Sequence, residues 1–289
     1  MTINKPIKVH RHLAANGIKG VPNVKNIIAV ASGKGGVGKS TVAVNLALAL
    51  QAQGAIVGIL DADIYGPSQP HMLGVQGKPI IGADQKIEPI IAHGLQSMSI
   101  GYLIDPNTPA VWRGPMVSGA LQQMLTSTRW ADLDYLVIDL PPGTGDIQLT
   151  LAQKVPVCGA VIVTTPQDVA LLDVTKAIGM FTRVKVPIFG VVENMSMHIC
   201  SGCGKQEHIF GIGGGEALAS QHNVQLLGSL PLQRNICELG DLGKPIMVTH
   251  PEDHSSLIFI DIARQVSEQL SKMPRDYNLP INNLVLEEN

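Results

Sequence analysis

The apolar positions of this chain fall into short unbroken runs rather than alternating ones. Runs over residues 27–31, 56–60, 135–140, 160–164, 188–192 and 225–229 are rich in Val, Ile and Leu, and most are apolar at consecutive positions. A strand with helices on both faces has no polar side to present, so such runs predict buried strands of a parallel sheet. Longer stretches with helical spacing lie between them and predict helices over 39–52, 116–128, 169–182, 215–222 and 255–271. Turns rich in Gly and Pro separate strand from helix. This alternation over 26–272 predicts one doubly wound α/β domain, a mostly parallel sheet covered on both faces. Residues 74–115 break the rhythm and read as a small inserted hairpin, 86–91 with 95–103, on an edge of the sheet. A basic extension over 1–25 and a tail over 273–289, which ends loosely in Leu286-Glu287-Glu288-Asn289, flank the domain.

Composition narrows the picture. With 289 residues, 45% of them apolar, the chain is long enough to bury a real core. No apolar run is long enough for a bilayer span, and the first residues lack the apolar core of a secretory signal. Four cysteines are too few for a disulfide scaffold, so a reducing, cytoplasmic setting is expected. Charge is lopsided: no Asp or Glu precedes Asp61, whereas Lys5, Lys8, Arg11, Lys19, Lys25, Lys34 and Lys39 all do. That is either a positive field over an anionic ligand or a flexible basic tail, and residues 1–25 read as the tail. A net charge of -2 makes no case for nucleic acid, and the acidic ending makes none for a membrane surface.

Gly33-Lys34-Gly35-Gly36-Val37-Gly38-Lys39-Ser40 satisfies G-x-x-x-x-G-K-[ST], with a predicted strand before it and a helix after it. Glycines let the backbone curl so that successive N–H groups point at an anion at the head of a helix. The expected ligand is ATP with Mg2+: Lys39 on the β- and γ-phosphates, the Ser40 hydroxyl on the metal, Thr41 on the α-phosphate. Asp139 ends the run Tyr135-Leu136-Val137-Ile138, the apolar strand plus carboxylate of a Walker B element, and is expected at the magnesium. Asp61 and Asp63 close the preceding strand; either could position or deprotonate the attacking water while the other supports the metal shell.

Cys200 and Cys203 form C-x-x-C-G. Two sulfurs three positions apart on a glycine turn can converge on one metal centre, yet they are only half a ligand set. The same pair from a symmetry mate would complete it, as zinc or as an iron–sulfur cluster. A redox pair is disfavoured by glycine on both sides of Cys203. Cys158 and Cys237 read as small core residues and His198 as a surface residue.

Lys34 is not required by the general motif. The spelling Lys-Gly-Gly-Val-Gly-Lys-Ser resembles the deviant Walker A of the MinD/ParA-like ATPases, in whose dimers this lysine crosses to the nucleotide of the facing subunit. A solvent-facing lysine that merely adds positive potential is the alternative. Asp61-Ala62-Asp63-Ile64-Tyr65-Gly66-Pro67-Ser68, Trp112-Arg113-Gly114-Pro115-Met116, Asp139-Leu140-Pro141-Pro142-Gly143-Thr144-Gly145-Asp146, Thr164-Thr165-Pro166-Gln167, Glu193-Asn194-Met195 and Phe210-Gly211-Ile212-Gly213-Gly214-Gly215 extend the likeness. Together with the cysteine turn they resemble the Mrp/ApbC-type iron–sulfur cluster carriers. The resemblance implies a slow, dimer-dependent ATPase: a homodimer bridged by a 4Fe-4S cluster on Cys200 and Cys203, taking clusters from an assembly scaffold and passing them to apo iron–sulfur proteins. It also implies Asn194 as the adenine-reading residue, Gly143 and Asp146 in a second switch, and a cysteine loop over 195–214. Arg113 would contact phosphate, contact the partner subunit, or pack a turn. Many such carriers have a further N-terminal domain, for which this chain has about 25 residues. A MinD/ParA-like positioning ATPase and a zinc-stapled NTPase are the competing readings.

Overall fold

The computed structural model describes residues 8–15, 17–104, 114–200 and 202–277, with the side chains of residues 114, 115 and 146 outside that description. From the first apolar run the chain forms β1 (Val24–Ser32), turns into α1 (Lys39–Ala52) and returns as β2 (Val57–Asp61). A four-residue helix, α2 (Gln69–Met72), leads to β3 (Ile90–Ala92) and β4 (Leu95–Ser99). Then come α3 (Gly114–Ser127), β5 (Leu133–Asp139), α4 (Asp146–Lys154), β6 (Gly159–Thr164), α5 (Asp168–Arg183) and β7 (Ile188–Glu193). A two-stranded ribbon, β8 (His198–Ile199) with β9 (Gln206–Glu207), precedes α6 (Gly214–Gln221) and β10 (Leu226–Ser229). The helices α7 (Arg234–Asp241), α8 (Ile246–Thr249) and α9 (His254–Ser271) follow.

Eight strands make one sheet in the order β10-β7-β6-β1-β5-β2-β4-β3, and every pairing except β3 with β4 is parallel. Both faces are dry. Phe181 of α5, Leu121 of α3 and Leu151 of α4 pack on one side; Leu46 of α1 and Phe259 and Ile262 of α9 pack on the other. Helix α1 is apolar nearly all round because it is sandwiched between sheet and α9, and Phe259 is 1% exposed. Cutting Phe181 or Phe259 back to alanine would cost about 3–5 kcal/mol. The register aligns the strand ends: Asp61 lies beside Asp139, Val30 beside Asp139, and Thr164 beside Glu193. The chain leaves β1 for one side of the sheet and returns to β6 on the other, so the C-terminal end of β1 is a topological switch point.

Two expectations change. The hairpin's second strand is a full parallel partner of β2, and its first is the short antiparallel edge β3, while Ile87 makes only isolated bridges to Ile81 and Thr128. The described part of the basic extension is not a loose tail. The Arg11 guanidinium donates to the Val24 carbonyl, the His12 N–H to Asn26 Oδ1 at 3.0 Å, and the Leu13 N–H to the Pro274 carbonyl at 3.0 Å. Asn26 is 1% exposed at the head of β1, and a buried amide must find partners. The extension supplies them and pairs with the start of the tail through the His12–Arg275 bridge.

Candidate functional site

The loop after β1 is shaped by two glycines that admit no side chain. A Cβ on Gly33 would lie 2.3 Å from the Asp173 backbone carbon of α5. Gly38, at φ 81°, caps α1 in the left-handed region, and a Cβ there would meet Asn194 Nδ2 at 2.2 Å. Asn194 donates from that nitrogen to the Val37 carbonyl at 2.9 Å, and its own N–H reaches the Thr164 carbonyl at 2.7 Å. The loop is therefore clamped from β7. Lys34 Nζ, half-exposed, lies 3.4 Å from Gln167 Oε1. Gly35 and Gly36 form the exposed crest; Ser40 is half-buried and Thr41 follows it into α1.

Lys39 is 6% exposed and pairs its ammonium with Asp139 Oδ1, which is wholly buried. Asp63 Oδ2 is 3.9 Å from the same ammonium, and Ser40 Oγ is 3.4 Å from it. The other Asp139 oxygen accepts from Gln69 Nε2 at 2.9 Å, and that nitrogen also donates to the Ser40 carbonyl at 3.1 Å. Gln69 is 1% exposed and its Oε1 has no partner. A buried acceptor beside a carboxylate and a serine hydroxyl is a set of hard oxygens, which suits magnesium.

Asp61 and Asp63 separate. Asp61 is 0% exposed, and its oxygens accept from the Asp63 N–H, the Gln69 N–H and the Ser99 hydroxyl, each at 3.1 Å. Burial, then the nearby Asp139 carboxylate, pushes its carboxyl up to about 7. Asp63 lines a cleft of about 740 Å³ together with Tyr65, Gly66, Pro141, Pro142, Gly145, Ile147 and Gln148. Burial raises its carboxyl too, with Lys39 opposing. Gly143, at φ 103°, donates its N–H to the Ser32 carbonyl at 3.0 Å, so the loop after β5 hangs on β1. The Asp146 side chain and the Trp112-Arg113 pair lie outside the described residues. Another cavity, about 600 Å³ between Leu13, Ile178, Pro187, His222 and Met273, touches none of these groups.

The cysteine turn projects from the end of β7. Its ribbon is closed by the Cys200 N–H to the Lys205 carbonyl at 3.0 Å and the Gly204 N–H to the Cys200 carbonyl at 2.8 Å. Cys200 is half-buried and Cys203 exposed. The N–H groups of Gly202 and Cys203 lower the Cys200 thiol, favouring thiolate. His198 turns its Nδ1 to the Leu232 carbonyl at 3.2 Å, so it holds the ribbon down. Among the described residues no group of three or more His, Cys, Asp or Glu side chains could hold a metal. Cys158 is buried as expected, whereas Cys237 is exposed on α7 and is not a core residue. Gln69 escaped the motif reading, and Glu193 stood in it only as part of Glu193-Asn194-Met195, with no role given. Glu193 accepts the Gly215 N–H at 2.7 Å at the head of α6.

A glycine loop between β1 and α1, its lysine on the aspartate of β5, and a second lysine at the loop entrance define a P-loop NTPase of the deviant Walker A type. The chain belongs to the family described as NUBPL iron-transfer P-loop NTPase, whose model matches residues 23–267. It is 62% identical over 254 residues to the iron-sulfur cluster carrier protein of Pseudomonas fragi, covering 87% of this chain and 88% of that one. Among solved structures it is similar to a nucleotide-binding protein of Archaeoglobus fulgidus in complex with ADP. That match has a TM-score of 0.70 and 40% identity over 80% of this chain and 90% of the other. The cell division ATPase MinD of Pyrococcus furiosus shares the fold, with a TM-score of 0.62 at 23% identity, 84% of this chain and 98% of that one being covered. Among the described residues no helix is long and apolar enough to cross a membrane.

Proposed function

We propose that this chain is an ATP-dependent iron–sulfur cluster carrier. Two copies close face to face, hold a 4Fe-4S cluster between their Cys200 and Cys203 thiolates, and hand it to apoproteins after loading from an assembly scaffold. The observation that carries the reading is one of placement. The strand β7 that clamps the phosphate loop through Asn194 runs on, six residues later, into a turn whose N–H groups favour thiolate at Cys200. The carrier names of close relatives support the cargo.

In this reading residues 33–41 cradle the triphosphate, and Lys39 exchanges the Asp139 carboxylate for the β- and γ-phosphate oxygens. Ser40 and Asp139 would hold magnesium, which neutralises phosphate charge and fixes the phosphate geometry. Asp63, on the cleft, orients the attacking water; Asp61, with every oxygen engaged by the backbone and Ser99, holds the turn that carries Asp63. Asn194 reads the adenine from the base of the loop. Lys34 offsets the charge growing on the neighbour's γ-phosphate, as an arginine finger does, so turnover is slow without a partner. Met195, at φ 58°, is the strained link between Asn194 and the cysteine turn, a place where loop movement can pass to the cargo. Two thiolates are half of a cluster's ligands, and the same turn of a second copy completes the set.

Anaerobic reconstitution with iron and sulfide tests this. A brown protein with thiolate-to-iron charge-transfer absorption is expected, lost in Cys200→Ala. A colourless product, or bound zinc without sulfide, contradicts it.

A further inference from the structure

Resting on that nucleotide reading, we propose that Gln69 is a positioning residue of the magnesium site. Its Nε2 sets the plane of the Asp139 carboxylate, and its Oε1 accepts a hydrogen bond from a water on the ion.

Gln69 opens a helix of only four residues, yet it is held from three directions. Its N–H donates to Asp61 Oδ2 at 3.1 Å, and its side-chain nitrogen donates to Asp139 Oδ2 at 2.9 Å and to the Ser40 carbonyl at 3.1 Å. One amide thus bridges the Walker B strand and the phosphate loop, the two elements from which the metal ligands come. With both donors engaged, Nε2 fixes which way Oε1 faces. That oxygen has no donor, although the residue is 1% exposed. Leaving a buried acceptor unpaired costs about 1–3 kcal/mol, so a site that keeps one has a use for it. A water on a divalent cation is a strongly polarised donor of the right kind. Groups that orient metal ligands and receive hydrogen bonds from the metal's waters tune affinity without touching the ion.

Lys39 occupies the other Asp139 oxygen. When the lysine turns to phosphate, Asp139 would lose one of its two partners. The amide is the partner that stays, and it keeps the carboxylate from rotating away from the metal. Ser68 Oγ, next in the chain, is a second buried atom without a partner, so the whole start of α2 presents unsatisfied polar atoms here.

The test compares wild type, Gln69→Met and Gln69→Glu for binding of a fluorescent ATP analogue, titrated with Mg2+ and repeated in EDTA. In Gln69→Met, of similar volume but with neither donor nor acceptor, the Mg2+ concentration for half-saturation should rise about 10–100-fold, the range seen when such supporting groups are removed. Binding in EDTA should stay within about twofold of wild type. Gln69→Glu keeps an oxygen where Oε1 stands but loses the Nε2 donor that holds Asp139, so its half-saturation should also rise, by less than in Gln69→Met. Equal losses with and without Mg2+ in Gln69→Met, or unchanged half-saturation, overturn the inference. If Gln69→Met does not fold, Gln69→Glu decides: a half-saturation unchanged from wild type overturns it. A wild-type protein with no Mg2+-dependent nucleotide binding refutes the nucleotide reading instead.

Discussion

The phosphate loop and the cysteine turn sit on the same end of the sheet and are built in opposite ways. At the loop, charged groups are buried and each is met by a partner: Lys39 by Asp139, Asp61 by two N–H groups and a hydroxyl, the loop itself by Asn194. At the turn, the chemistry is borne by side chains at the surface on a ribbon of two residues per strand, with Cys203 exposed. The contrast teaches where completion comes from. A preorganised site stabilises charge on a small ligand and loses little entropy on binding it. A half-set of soft ligands at the surface is completed from outside, which is what delivery of a cargo requires.

The comparison can be broken at several points. The largest effect is expected at Lys34, which joins the two halves of the account: Lys34→Ala should lower ATP turnover by about 10³-fold, measured as phosphate release. Cluster uptake should be unchanged. Near-normal turnover would mean that no cation crosses between copies. Next is stability. Asp61→Ala strands three donors and should destabilise the fold by about 3 kcal/mol in urea unfolding. Cys203→Ala, on the exposed turn, should shift it by less than about 0.5 kcal/mol. Similar losses at both positions would erase the distinction between a built site and an appended one.

The effect of pH sharpens the same point. With its carboxyl pushed up to about 7, folded Asp61 binds a proton that the unfolded chain has already released. Its contribution to stability is therefore complete below about pH 4 and is lost as pH rises through 7. Relative to Asp61→Asn, the wild type should lose stability between pH 5 and pH 7.5 in parallel urea titrations; a flat difference over that range would mean that Asp61 is ionised throughout. The smallest effect is an order of reaction. The lowered Cys200 thiol should be alkylated by iodoacetamide before Cys158, whose thiol burial pushes up to about 11, as peptide mass mapping would show.

Much of this was legible in the residues, for reasons that differ from place to place. The strands declared themselves because burial on both faces leaves no polar position to interrupt Ile27 to Ala31 or Leu136 to Ile138. The phosphate loop was legible because its requirements are contiguous: glycines where backbone crowds, then Lys39 and Ser40. Asp61 and Asp63 could not be told apart in sequence, since strand pleating and the return of Gln69 decide which oxygen faces the cleft. Gln69 itself carries no motif; its role arises only when a four-residue helix folds back on β5. The ordering of residues 8–15 was equally hidden, because its bonds reach Asn26, Val157 and Pro274, far along the chain. Helix α7 gave little signal because most of its residues face solvent.

The most direct test is the native mass of the anaerobically reconstituted protein, read together with its iron and sulfide content. Two chains holding four irons and four sulfides, reduced to cluster-free protein by Cys200→Ala, is the predicted result. A cluster on a single chain, or two chains joined by a metal without sulfide, would contradict the shared cargo on which the account stands.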